Sequence, residues 1–181
     1  MATFFTADLH VGHRQIIRHC SRPFQDIDEM HEALIRRWND RVRSKSDDVY
    51  VVGDFGWSGK YSGLERIFAA LNGRKHLVKG NHDGRQVLQL PWSSKPVDRK
   101  TLGVEGKTVY LDHYSLRAWP KRHFGAYHLY GHSHGNLPGI GRSIDVGVDV
   151  WDFRPITLNE AIEGMKRDNP DFEDESFVKT S

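Results

Sequence analysis

Five short fragments built from aspartate, histidine and asparagine punctuate this chain: Asp8-Leu9-His10, Gly53-Asp54, Gly80-Asn81-His82-Asp83, His113 after Val109-Tyr110-Leu111, and Gly131-His132-Ser133-His134. Each stands at or just past the C-terminal end of a predicted strand. Any fold that accommodates this pattern must bring several strand ends together, because carboxylate, imidazole and carboxamide side chains in one place hold a divalent metal and scattered ones do not.

The order of elements supports that convergence. Thr3 to Ala7 reads as a short buried strand delivering Asp8, Asp48 to Val52 as a second delivering Asp54, and Lys75 to Lys79 as a third delivering Asn81. Between them Asp26 and Glu29 form a capping-box-like start to a helix whose apolar stripe is Ile27, Met30, Leu34, Trp38 and Val42. Ser62 with Glu65 repeats the device before Ile67, Phe68 and Leu71, and Asn72-Gly73 ends that helix. A βαβαβ opening implies parallel strands, whose ligands gather outside the carboxyl ends.

Beyond residue 96 the chain becomes strand-rich. Val97 to Val104 and Lys107 to Leu111 flank Glu105-Gly106 as a hairpin, and Ala126 to Tyr130 and Ser143 to Val150 read as further strands. A last helix starts at Thr157, with Glu160 completing its capping box, and runs to about Arg167. With 181 residues the chain is long enough for one core and short for two, so a single domain over 1–167 is expected, followed by an acidic, flexible tail over 168–181.

A net charge of +2 gives only a weak pull toward polyanions. The one cysteine, Cys20, stands outside the ligand fragments and suits a reducing compartment. The first residues carry no basic segment or long apolar run of a signal peptide or membrane span, so a cytoplasmic protein with no membrane partner is expected.

In order, the fragments resemble the blocks D-x-H, G-D, G-N-H-[DE], H and G-H-x-H of the calcineurin-like metallophosphoesterase superfamily, matched from Asp8 to His134. The start, Asp8 to His13, looks like that of small bacterial and phage members. The resemblance implies an α/β fold, a four-layer α/β/β/α sandwich of two mixed sheets. It also implies two ions: Asp8, His10, Asp54 and His134 on the first, Asp54, Asn81, His113 and His132 on the second, with Asp54 as the bridge. Ions about 3.5–4 Å apart need such a bridging carboxylate. Imidazoles among oxygen ligands suit Mn²⁺, Fe, Zn²⁺, Co²⁺ or Ni²⁺ better than Mg²⁺ or Ca²⁺, and manganese is preferred here.

The activity so implied is phosphoester hydrolysis by a metal-bridging hydroxide, with His82 as the acid that protonates the leaving oxygen and Asp83 orienting it. His13 is a candidate substrate contact. Arg117, Lys121 and Arg122, interleaved with Trp119 and Phe124, are candidates for holding a second phosphate. His19, His31, His76 and His128 read as structural, with His31 on the polar side of its helix. After the bridging aspartate the chain reads Phe55-Gly56-Trp57-Ser58-Gly59 and lacks the arginine of protein phosphatases. The stretch from His113 to His132 is too short for a cap domain, which favours phosphodiesters such as cyclic nucleotides or nucleic-acid ends. A small-metabolite phosphomonoesterase is the near rival. A non-catalytic scaffold on the same fold is the rival of another class, disfavoured because every ligand position is filled.

Overall fold

The computed structural model describes residues 1–57, 59, 61–169 and 171–172. Its first half holds β1 (Thr3–Thr6), α1 (Ile16–His19), α2 (Ile27–Arg41), β2 (Asp48–Val52), α3 (Leu64–Ala70), β3 (Arg74–Val78) and α4 (Arg85–Leu88). The second half holds β4 (Arg99–Val104), β5 (Lys107–Asp112), β6 (Tyr127–Tyr130), β7 (Ser143–Asp145), β8 (Ile156–Thr157) and α5 (Leu158–Asp168). These strands make two four-stranded mixed sheets, ordered β3-β2-β1-β8 and β4-β5-β6-β7.

In the first sheet β1, β2 and β3 are parallel and β8 joins β1 antiparallel. In the second, β4 and β5 form the expected hairpin, while β5, β6 and β7 run parallel. Glu105 and Gly106 turn that hairpin with both φ angles positive, 50° and 76°, a conformation that matches the twist of the flanking strands.

Alternation along each strand assigns the two cores. Phe4, Val49, Val51 and Leu77 face α2 and α3, where they meet Met30, Leu34, Trp38, Ile67 and Phe68. Phe5, Val52 and Val78 point the other way, to Val109, Leu111 and Leu129 of the second sheet. Ile162 and Met165 of α5 join this inter-sheet core, and α5 packs against both β7 and β8. Leu111 is completely buried there, and truncating it to alanine should cost about 2–5 kcal/mol. On the opposite face of the second sheet, Tyr110 packs with Trp119 and Ala126.

Several local expectations need correction. The cap of α3 is Gly63 with no side-chain hydrogen bond, so Ser62 does not cap it. The strand expected to run to Val150 ends at Asp145, where Asp145 takes the amide of Gly147 and a 3-10 turn over Val148–Val150 follows. His31 does not face solvent: it is buried, its Nε2 accepts from Gly12 N at 3.1 Å, and its Nδ1 lies 3.3 Å from the Tyr61 hydroxyl. The packed chain also continues past 167: Asn169 and Phe172 are buried, and Asp171 accepts from Gly141 N. The rest of the expected tail, residue 170 and residues 173–181, lies outside the described residues. Among the described residues no helix is long and apolar enough to cross a membrane.

Candidate metal centre

β1, β2, β3, β5 and β6 end on the same edge of the sandwich, and the loops leaving them are tied together by the backbone. Asp8 N donates to Gly53 O, His10 N to Asp54 O and Val11 N to Phe55 O, each at 3.0 Å. The two sheets are joined here by a parallel bridge between Ala7 and Gly147, and by Asp8, whose carboxylate accepts from His132 N at 2.9 Å. The loop ends are thus held before any ligand arrives.

Two candidate ligand groups result. Ligand atoms of Asp8, His10 and His134 lie within 4.8 Å of one another, as do those of Asp54, His113 and His132. Asn81 belongs with the second, its Oδ1 3.0 Å from His113 Nε2. Asp54 Oδ2 stands between the groups, 3.7 Å from His10 Nε2 and 3.4 Å from His113 Nε2. The donor set fits a divalent metal on independent grounds: both ring nitrogens of His10 are buried with no hydrogen-bond partner among the described residues, which is expensive unless a ligand engages the ring.

Backbone strain is concentrated at the same place. Asp8, His10, Asp54, His132 and His134 have φ of 59°, 54°, 53°, 67° and 47°, the left-handed region that costs a non-glycine residue on the order of 1–2 kcal/mol. These side chains leave their strands through a reversal that aims them back across the edge. The glycines of the fragments give them room. A Cβ at Gly53 would fall on the His113 ring, and one at Gly80 on the Asp54 carboxylate.

The rings are oriented from behind. His113 Nδ1 donates to Val52 O at 3.0 Å and His134 Nδ1 to Asp149 Oδ2 at 2.7 Å, so Nε2 of each is left to face the centre. Asp149 is gripped in turn by the Arg22 guanidinium through two bonds of 2.8 Å, and Arg22 also donates to Asp8 O and Leu9 O. Neither Arg22 nor Asp149 belongs to a fragment recognised in the sequence. Asp149 follows the end of β7 in the structure, but the sequence placed it inside a strand expected to reach Val150, and neither it nor Arg22 carried a signal. Cys20 is also nearer than expected, its thiol within 4.8 Å of ligand atoms of His134 and Asp149.

Charge follows the geometry. Burial, helped by Asp145, pushes the Asp8 carboxyl up to about 7, and burial pushes His10 down to about 2. Burial opposes charge on His113, but the hydrogen bond and charge of Asp54 prevail and lift it to about 9. His134 is lifted against burial to about 10, chiefly by its hydrogen bond to Asp149. Asp54 and Asp149 are held below the ordinary carboxylate range, despite burial, by His113 and His134 respectively.

Asp83 does not orient His82. Its carboxylate accepts the amides of Asp54 and Gly80 on one oxygen and of Phe55 and Gly56 on the other, stapling the loop after β3 to the loop after β2. Burial nevertheless raises it to about 6. The His82 amide donates to Asp54 Oδ1 at 2.8 Å, and its half-buried ring lies 5.2 Å from that of His10. His13 stacks on Trp57 at 3.9 Å and lies 5.5 Å from the His10 ring. In the basic segment Trp119 is buried and stacks on His128, Arg122 lies over Trp119 and donates to Arg117 O, and Lys121 is exposed at the preceding turn.

Fold and site together define a metal-dependent phosphoesterase architecture, and comparison with known proteins gives the family. Residues 1–145 match the family model of calcineurin-like phosphoesterases, and the chain belongs to that family. It is 30% identical to the uncharacterized protein MJ1445 of Methanocaldococcus jannaschii over 174 residues, 91% of each chain. It is 29% identical to the Gene 66 protein of Mycobacterium phage D29, covering 90% of this chain and 98% of that one. Among solved structures, a protein of unknown function from Aquifex aeolicus, AQ665, shares the fold with a TM-score of 0.69 at 23% identity, over 89% of this chain and 97% of that one. Membership points to metal-dependent phosphoester hydrolysis.

Proposed function

We propose that this protein hydrolyses phosphodiesters, cyclic nucleotides or nucleic-acid ends, at a site for two divalent ions, in a reducing cytoplasm. The observation that carries the reading is Asp54 Oδ2, which stands within 3.7 Å of His10 Nε2 and 3.4 Å of His113 Nε2, where one carboxylate serves both ligand groups. Asp8, His10 and His134 would complete one ion's shell, and Asn81, His113 and His132 the other's. The imidazole and oxygen donors suit Mn²⁺, Fe, Zn²⁺, Co²⁺ or Ni²⁺, and of these we take manganese as the ion. When bound, the ions supply Lewis acidity toward the phosphoryl oxygens and a water acidified toward neutrality.

The remaining work falls to the chain. His82 stands beside the ligands without belonging to either group and is the candidate to donate a proton to the departing oxygen. Asp83, through its four backbone bonds, keeps the loops of Asp54 and His82 in register rather than touching substrate. The segment between His113 and His132 is folded down over its own sheet by Trp119, and this supports an open site that admits a phosphate with two ester arms. Turnover of matched mono- and diesters of one leaving group by the manganese-loaded protein tests the reading. Diester turnover should exceed monoester turnover, and the reverse would make the protein a phosphomonoesterase.

A further inference from the structure

We infer that the loop and short helix after the first ligand fragment form a second phosphate subsite, made by His13, Gln15, Arg18 and His19 with Arg14 beside them. The inference rests on the phosphodiesterase reading above, and it assigns a substrate class: phosphoesters that carry a further phosphate beyond the reacting one.

The structure builds this subsite outward from the metal centre. The His13 ring lies 5.5 Å from that of His10 and 6.2 Å from that of His19, so imidazoles step from the ligand cluster to the surface. His13 is only 9% exposed, and its Nδ1 has no hydrogen-bond partner among the described residues. A buried imidazole left without a partner is costly unless something outside the chain engages it. Its ring is held by stacking on Trp57 at 3.9 Å rather than by a hydrogen bond.

Next to it Gln15, Arg18 and His19 line one concavity. The side chains of Arg14 and Arg18 are exposed and make no hydrogen bond or ion pair among the described residues. By contrast Arg37 and Arg41 on α2 are taken up by Asp152 and Glu160. The uncommitted Arg18 guanidinium shares that concavity with His19, whose ring neighbours His13, and Arg14 stands four residues before Arg18; free guanidiniums are suited to a phosphate, which accepts in-plane pairs of N–H bonds. The ring-to-ring path from His10 to His19 suits a phosphate separated from the reacting one by a sugar, as in a nucleotide chain, better than one bonded to it directly.

The test is competitive inhibition of bis(p-nitrophenyl) phosphate hydrolysis by thymidine 3′,5′-bisphosphate and by thymidine 5′-monophosphate, using the manganese-loaded full chain. Wild type should bind the bisphosphate about tenfold more tightly, the worth of two partly exposed charge contacts, and added salt should erode that preference. Arg14→Ala with Arg18→Ala should abolish the preference, and Arg14→Lys with Arg18→Lys should keep part of it. A preference that survives the alanine pair, or its absence from wild type, overturns the subsite while leaving the hydrolytic reading intact. A wild-type protein that hydrolyses no phosphoester overturns both.

Discussion

Removing the Asp149 carboxylate should cost both stability and metal affinity, because three charge-assisted bonds meet on it. Arg22 donates two at 2.8 Å and His134 one at 2.7 Å, while the Arg22 side chain is fully buried and that of Asp149 is 8% exposed. Asp149→Ala leaves a buried guanidinium with the Asp8 and Leu9 carbonyls and Met30 Sδ as its hydrogen-bond partners among the described residues. Breaking one side of a buried ion pair in this way costs about 3–5 kcal/mol. The His134 ring loses the bond that fixes Nδ1 as the protonated nitrogen, which should weaken metal binding about 10- to 100-fold. Asp149→Asn keeps the shape and loses the charge, so its stability should lie between those of the alanine variant and wild type. Urea unfolding of the chelator-treated proteins measures the first effect, and calorimetric titration with Mn²⁺ the second. An alanine variant within about 1 kcal/mol of wild type and with undiminished Mn²⁺ affinity would show that the Arg22–Asp149–His134 chain organises nothing.

Gly80→Ala should strip metal and also lower stability, since its Cβ would fall on both Oδ1 and the backbone nitrogen of Asp54; metal analysis against a circular dichroism melt separates the two effects. His82→Ala should retain its metals and lose far more rate on alkyl esters than on nitrophenyl esters, because proton donation matters most for a poor leaving group; equal losses would remove His82 from that role. In the metal-free protein His113 and His134 are raised to about 9 and 10, so the stability they contribute is fully present below their unfolded value of 6.5 and is lost as pH rises toward 10. Metal must displace those same protons, so the thermal shift given by a fixed Mn²⁺ concentration should grow over that range. A shift that is flat or shrinking with pH would contradict the assigned protonation. Thr157→Ala should remove the α5 capping bond from Glu160 N and lower stability by about 1 kcal/mol in urea unfolding.

β2 was legible as a valine-rich run and falls on Asp48–Val52 as expected, while β3, which is apolar only at Leu77 and Val78, lies one residue before its expected position. The caps at Asp26 and Thr157 were legible because their chemistry is local. What pairing distant segments decides was not. β8 is two residues long and exists only because β1 offers an edge. Asp83 looked like a partner for its neighbour His82, yet its carboxylate is used by amides up to 29 residues away in sequence. His31 occupies a position polar by helical periodicity, but Gly12 and Tyr61 from the loops above bury it. The inward packing of Trp119 on His128, within the basic segment from Arg117, likewise depends on a strand that follows it in the chain.

The account turns on Asp54 serving two ions at once. Metal content of the chain after reconstitution with Mn²⁺ and gel filtration, measured beside that of Asp54→Asn and read with hydrolysis of bis(p-nitrophenyl) phosphate, tests this most directly. The account predicts two ions per wild-type chain, fewer in the variant, and hydrolysis that appears with the metal and nearly vanishes with the substitution. One ion per wild-type chain, or an Asp54→Asn protein that keeps both ions and full rate, would contradict it.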